Sequence, residues 1–170
     1  MGSRSIPNDI FVLMREMAFY LGQDGWTLRS GGAEGSDFAF ETGCDECGGK
    51  KEIFLPWVKF NSNNSLLYSP SAEAEVIAEK YHPNWPALNK AARQLMSRNV
   101  HQILGEDLQS PVKMVVCWTK DGKSSGGTGQ AIRIAEDKKI PIFNLQIPTD
   151  RARIEIKLKI WQENWKEHTK

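Results

Sequence analysis

Residues 111–144, PVKMVVCWTKDGKSSGGTGQAIRIAEDKKIPIFN, decide the fold. An apolar run (Val112 to Trp118) is followed by a loop of small residues (Lys123 to Gln130), an amphipathic segment (Ala131 to Lys139) and a second apolar run (Pro141 to Leu145). A buried strand, a turn, a helix and a buried strand in that order predict a βαβ unit with parallel strands and a right-handed crossover. At the carboxyl edge of the first strand, the leading N–H groups of the helix have no intrahelical acceptor, and glycines let a ligand come close to them. Ser124, Ser125, Gly126, Gly127, Thr128 and Gly129 therefore read as a cradle for a phosphate or another anion. The competing reading is an ordinary strand-to-helix turn whose glycines serve tight packing.

Upstream of this unit the same device occurs once more. A helix is expected from about Asn8 to Gly22, because Ile10, Leu13, Met14, Met17, Ala18 and Leu21 recur on one face, with Asn8 or Asp9 available as its cap. Trp26 to Arg29 reads as a short strand. The loop Ser30-Gly31-Gly32-Ala33-Glu34-Gly35-Ser36-Asp37 then leads into a helix carrying Phe38, Ala39 and Phe40. Asp37 either bonds its own turn or meets a ligand hydroxyl.

Further on, Lys51 to Trp57 reads as a strand ended by Pro56, and Asn61 to Ser71 as a long polar loop. Ala72 to Tyr81 predicts a short helix and Ala87 to Leu104 a longer one. On the latter's apolar stripe Asn99 falls in the middle, with Arg98 and Gln102 on one edge. A polar amide on a buried face has to find partners. The tail, Thr149 to Lys170, supports two periods: Ala152, Ile154, Ile156, Leu158 and Ile160 alternate as in a strand, while Ile154, Leu158, Trp161 and Trp165 fit a helix face. The expectation is a strand followed by a helical turn, with Lys157, Lys159, Lys166 and Lys170 on a solvated face.

The chain has 170 residues, 40% of them hydrophobic, which is enough for one core: a domain over 1–148, with 149–170 packing on it or on a partner subunit. With 22 basic and 21 acidic side chains the net charge of +1 exerts no global pull on nucleic acid or an anionic membrane. No apolar run approaches the roughly 18 residues of a spanning helix, and three cysteines suit a reducing compartment, so the expected location is the cytoplasm. Cys44 and Cys47 form one Cys-x-x-Cys. The only other candidates, Cys117 and three scattered histidines, lack ligand spacing, so no metal site is expected. Trp57, Trp85 and Trp118 adjoin apolar runs and read as core, and Trp118, beside the loop, is the one placed near a base ring.

The opening Gly2-Ser3-Arg4, the Ser30 to Asp37 loop, the Lys51-Glu52-Ile53 strand and the Gly126-Gly127-Thr128-Gly129 turn together resemble the Rossmann-like superfamily that joins DNA-processing protein A (DprA/Smf) to the "lonely guy" (LOG) nucleotide phosphoribohydrolases. Within it the chain is most similar to small single-domain DprA-like proteins of bacteriophage genomes. The resemblance spans roughly residues 2 to 145. It implies an α/β, Rossmann-like fold with a mostly parallel open sheet, helices on both faces, and the ligand bound where strand order reverses. It also implies a nucleotide pocket made by Gly2, Ser3 and Arg4 on one side, Ser30, Gly31, Gly32, Gly35, Ser36 and Asp37 below, and Gly126 to Gln130 opposite, with Arg98 and Asn99 facing the same cleft.

Two departures accompany the resemblance. In such relatives Gly-Ser-Arg follows a first, central strand, whereas here it stands at residues 2–4, and the alternating tail is one candidate for that strand's slot. LOG-type hydrolases carry Pro-Gly-Gly-x-Gly-Thr-x-x-Glu. Aligned on the glycines, this chain has Ser125 for the proline, Gln130 for the threonine and Arg133 for the catalytic glutamate, so hydrolysis would need Asp37 or Glu34 as a substitute. Three functions follow. The leading one is binding of a nucleotide or nucleotide-derived phosphate ligand, with no further cofactor. The others are DprA-like binding of single-stranded DNA in recombination, which near-neutral charge disfavours, and N-glycosidic cleavage of a nucleotide, which Arg133 disfavours. A homo-oligomer is expected, since superfamily members associate.

Overall fold

The computed structural model describes residues 1–124 and 126–168, and the chain is α/β, with six α-helices and short parallel strands. The order is α1 (Asn8–Gln23), β1 (Thr27–Ser30), α2 (Ser36–Glu46), β2 (Lys50–Ile53), α3 (Ala72–Tyr81), α4 (Lys90–Leu104), β3 (Val115–Cys117), α5 (Gly126–Asp137), β4 (Ile142–Asn144) and α6 (Pro148–His168). Single 3-10 turns lie at Phe60–Ser62 and Trp85–Ala87. Ser125 and Lys170 lie outside the described residues.

The strands form two parallel pairs. β1 runs beside β2, with Thr27 opposite Lys50 and Ser30 opposite Ile53, and β3 beside β4, with Val115 opposite Ile142 and Cys117 opposite Asn144. The βαβ unit expected around residues 111–144 is present as β3, α5 and β4. Its helix starts earlier than the amphipathic pattern suggests, because the glycines from Gly126 onward form its first turn. β2 is shorter than the expected strand: pairing stops at Ile53, and Leu55 forms only an isolated bridge to Tyr68.

Helix starts follow local chemistry. The Ser71 hydroxyl accepts from Ala74 N–H at 3.1 Å and caps α3, and Asn89 Oδ1 accepts from Ala92 N–H at 2.9 Å and caps α4. The second cap sets the α4 start at Lys90 rather than Ala87, since Trp85–Ala87 winds a separate turn. α1 corrects an expectation, because neither Asn8 nor Asp9 caps it. Its N-cap is Pro7 in extended conformation, and Asp9 instead pairs with Arg151 of α6 at 2.9 Å.

The tail is also a correction. Pro148–His168 is one helix, and the helical period wins because Ile154 and Leu158, four residues apart, enter the core beside α1. The alternating Ile156 and Ile160 are left exposed at 60% and 50%, which a core-facing strand would not allow. Trp165 packs edge-on against Phe19 and Tyr20 of α1.

Two main apolar clusters flank β3. Val116 and Trp118 join Met14, Met17, Phe40, Leu145 and Ile154, whereas Val115 joins Ala78, Val100, Ile103, Ile134 and Ile140. Successive strand residues point to opposite faces, so β3 is packed from both sides. No helix among the described residues is long and apolar enough to cross a membrane.

Candidate functional site

The amino-terminal residues, both glycine turns and α4 meet at one cleft of about 420 Å³. Met1 to Arg4 line one side; Ala33 and Asp37 belong to the first turn; Gly126, Gly127 and Thr128 open α5; and Arg98, Asn99 and Gln102 come from α4. Trp118, Thr119 and Lys120 complete it at the carboxyl end of β3. Of the cations, Arg4 and Lys120 are exposed at the rim, while Arg98 is buried.

Backbone bonds explain why the amino terminus lies here. Met1 N donates to Val116 O at 3.3 Å and Ser3 N to Trp118 O at 3.0 Å, so residues 1–3 run alongside the end of β3. Ser3 O in turn accepts from both Ser36 N–H, at 3.1 Å, and Ser36 Oγ, at 3.2 Å. Gly2 is wedged so tightly that a Cβ would lie 2.4 Å from Ser36 Oγ and 2.9 Å from Trp118 N.

Three amides of the first turn are taken up by acceptors of the turn itself, of α2 and of the amino terminus. Gly32 N–H donates to Glu41 Oε1 at 3.2 Å, Ala33 N–H to Asp37 Oδ2 at 3.3 Å, and Ser36 N–H to Ser3 O. The Arg98 guanidinium donates to Gly31 O and stands 3.6 Å from Asp37 Oδ2. Burial pulls the Arg98 pKa below its ordinary value, and the neighbouring Asp37 charge opposes that shift. Glu41 is also buried; it accepts from Ser30 Oγ and Asn63 Nδ2, each at 3.2 Å, and burial followed by the charge of Asp37 pushes its pKa up. Ser30, Gly31, Gly32, Gly35 and Ser36 therefore build the turn and do not line the cleft; of the expected residues here only Asp37 does. Glu34 is exposed and lies outside the cleft lining.

The second turn is built differently. α5 has no acidic residue in its first turn, and its leading N–H groups at Gly126, Gly127 and Thr128 have no intrahelical acceptor. The turn is fixed from behind: Asn99 Nδ2 donates to Gly127 O at 3.1 Å, and Arg133 donates to Ser124 O at 3.1 Å and to Tyr81 O at 2.8 Å. Gln130 corrects its assignment as a ligand residue. It is fully buried and donates to Ala78 O at 3.1 Å, tying α5 to α3. Gly129 packs against Ser124, whose carbonyl oxygen a Cβ would approach to 2.1 Å.

Four buried side-chain polar atoms among the described residues lack a hydrogen-bond partner: Asp37 Oδ1, Arg98 Nε, Gln102 Nε2 and Trp118 Nε1. All four residues line this cleft. The Met1 amino group lies 3.5 Å from Asp37 Oδ1. Buried polar groups are otherwise almost always satisfied, so this concentration marks a place where bonding capacity is left for something else. Gln102 and Lys120 were not among the expected ligand residues. Gln102 stands one helical turn beyond Arg98, a signal the sequence did contain.

Cys44 and Cys47 are free thiols, and burial lifts Cys44 to about 11. No group of three or more His, Cys, Asp or Glu is placed to hold a metal among the described residues. The chain thus presents the class of an α/β protein with a polar cleft at a strand-to-helix edge. In comparisons with family models, curated proteins and solved structures, the chain matches none.

Proposed function

We propose that the chain is a Rossmann-like nucleotide-binding module, with a phosphate at the start of α5 and the sugar and base extending toward Asp37 and Arg98. The observation that carries this reading is that the side chains bearing four orphaned buried polar atoms line a cleft that Gly126, Gly127 and Thr128 at the start of α5 also line. The polarity follows from charge. A phosphate is favoured by unsatisfied amides at a helix N-terminus and by Arg4 and Lys120 at the rim, and is repelled by Asp37 at the other end. A sugar hydroxyl suits Asp37, whose free Oδ1 is an acceptor.

Binding rather than turnover is the activity assigned. In place of the glutamate of a LOG-type turn stands Arg133, and its guanidinium is committed to Tyr81 and Ser124. The test is a thermal-shift titration with AMP, GMP, ADP and inorganic phosphate. At a hundredfold excess over Kd a ligand adds about 2.7 kcal/mol, or a rise of roughly 5–10 °C for a chain of this size. Gly127→Asp removes the rise while leaving the unliganded protein at least as stable, because an acid suits the first turn of a helix. The same panel with oligonucleotides and an assay for released base separates the alternatives. A shift with single-stranded DNA alone, or free base from a nucleoside monophosphate, would replace this reading.

A further inference from the structure

Cys44 and Cys47 lie outside the lining of the ligand cleft, at the far end of the helix that Asp37 begins. α2 stops in a fixed turn there. Gly48 N–H donates to Asp45 O at 3.1 Å and Gly49 N–H to Cys44 O at 2.8 Å, with Gly48 in the left-handed region at φ 63°. These two bonds are a Schellman closure, with Cys47 as the C-cap. Three residues apart on the same turn, the two cysteine side chains are neighbours on one helix face.

Glycines make room for the sulfurs. A Cβ on Gly49 would lie 2.9 Å from Cys44 Sγ and 3.1 Å from Cys47 Sγ, and a Cβ on Gly22 of α1 would lie 2.4 Å from Cys47 Sγ. Both thiols therefore crowd one point beside Gly49, in space that a larger residue there would fill. Cys44 is 1% exposed and Cys47 is half-buried. Each thiol donates to a carbonyl, Cys44 Sγ to Lys50 O at 3.5 Å and Cys47 Sγ to Cys44 O at 3.2 Å. The adjacent Lys51 and Asp45 are paired with each other at 2.8 Å. No third metal ligand accompanies the two sulfurs among the described residues, so the chemistry open to them is with each other.

We propose that Cys44 and Cys47 are a site of reversible oxidation, a dithiol that gives two electrons to a disulfide of low molecular weight and becomes the Cys44–Cys47 disulfide. The more exposed Cys47 loses its proton and attacks one sulfur of the oxidant; a mixed disulfide forms, and the other half of the oxidant leaves as a thiolate and takes up a proton. Cys44 then loses its own proton and attacks Cys47 Sγ, which closes the protein disulfide and releases the second half as a thiol. One oxidant disulfide thus becomes two thiols while two protein thiols become one disulfide. Neither Schellman bond uses a sulfur atom, so the helix end survives and only the two thiol–carbonyl bonds are lost. The surroundings disfavour a thiolate: the pair lies at the carboxyl end of a helix, and burial foremost lifts Cys44 to about 11. Easily ionised thiols are what make a Cys-x-x-Cys pair strongly oxidising. This pair is of the opposite kind, slow to close at neutral pH and stable once closed.

The test incubates the whole chain with excess oxidised glutathione and follows its mass and free thiols. Two of the three thiols are expected to disappear with no glutathione retained, the change is reversed by dithiothreitol, and far-UV circular dichroism stays the same. Closure should accelerate about tenfold per pH unit between pH 7 and 9, as the thiolate fraction of Cys44 does. Cys44→Ser should stop at the mixed disulfide and keep one glutathione, and Cys47→Ser should take up none, its remaining thiol at this site being buried. Three thiols still free in the parent at pH 9 overturn the proposal. So does glutathione retained by the parent as fully as by Cys44→Ser, which would mean that the second sulfur does not reach the first. Uptake by Cys47→Ser equal to that of Cys44→Ser overturns it as well.

Discussion

The two glycine turns are near repeats in sequence and opposites in chemistry. Residues 30–37 and 124–130 each link a strand to a helix through small residues, yet amides of the first are taken up by acceptors nearby, whereas the described side chains on the second bond its carbonyls. Around the first, Glu41, Asp37 and Ser3 consume the amides of Gly32, Ala33 and Ser36. The first turn of α5 carries no acid, and the described side chains that hold the second turn, Asn99 and Arg133, donate to its carbonyls. A glycine-rich turn is thus not an anion site by composition. What decides is whether nearby carboxylates reach the amides before a ligand does.

The comparison breaks most visibly at Arg98. This side chain is 6% exposed, bonds Gly31 O and neutralises Asp37, so it couples the closed turn to α4. Arg98→Met leaves the buried Asp37 carboxylate with the Met1 amino group, 3.5 Å away, as its counter-charge, and removing one partner of a buried pair costs about 3–5 kcal/mol. The expected fall in Tm by thermal denaturation is on the order of 10 °C. Adding Asp37→Asn to Arg98→Met recovers a large part of that loss, since the buried carboxylate that has lost its guanidinium partner is then gone. A single variant as stable as the parent would show that this ion pair is not what holds the first turn shut.

A matched pair of alanines sharpens the contrast at smaller scale. At Gly31 a Cβ would lie 1.5 Å from Arg98 Nη1 and 2.9 Å from Asp37 Oδ2, so Gly31→Ala forces the buried pair apart. A loss of about 2–3 kcal/mol is expected, in the upper range for overpacking. At Gly127 the nearest atom is Met96 Cε at 2.8 Å, the mobile end of a long side chain that can swing away. Gly127→Ala should therefore change stability by less than about 1 kcal/mol and even favour the helix. Chemical denaturation of both variants measures the difference, and equal losses would mean that the second turn is as closely packed as the first.

This asymmetry explains what could be read before the structure. Periodicity sufficed for α1, α3, α4 and the β3–α5–β4 unit, because each buries one clear apolar face. It failed at the tail, where Ile154 and Leu158 satisfy both periods and only the face of α1 against which they pack decides between them. The site was half legible. The strand–turn–helix order showed the same device twice and the family resemblance implied one shared pocket, but the bonding of the first turn depends on Glu41 and Ser3, one inside a helix and the other near the amino terminus. Spacing along the chain does not reveal such pairings. Gln130 and Arg133 were misjudged or left open for the same reason: their partners, Ala78 and Tyr81, belong to α3, some fifty residues away in sequence.

The smallest expected effect tests the closed turn through its protons. Burial and the charge of Asp37 raise Glu41 above its ordinary value of 4.5, so the folded chain holds this proton more tightly than the unfolded one does. For a group shifted in this direction, the stabilisation is complete below the unfolded pKa and is lost as pH rises through the folded one. Glu41→Gln cannot ionise and keeps an acceptor for Ser30 Oγ and Gly32 N–H. Its Tm should match the parent near pH 4 and exceed it by about 1–3 °C near pH 7. If the variant instead melts lower at every pH, the bond from Asn63 Nδ2 to the second carboxylate oxygen outweighs the cost of burying the charge, and the first turn is held shut by that bond network rather than at the expense of a strained carboxylate.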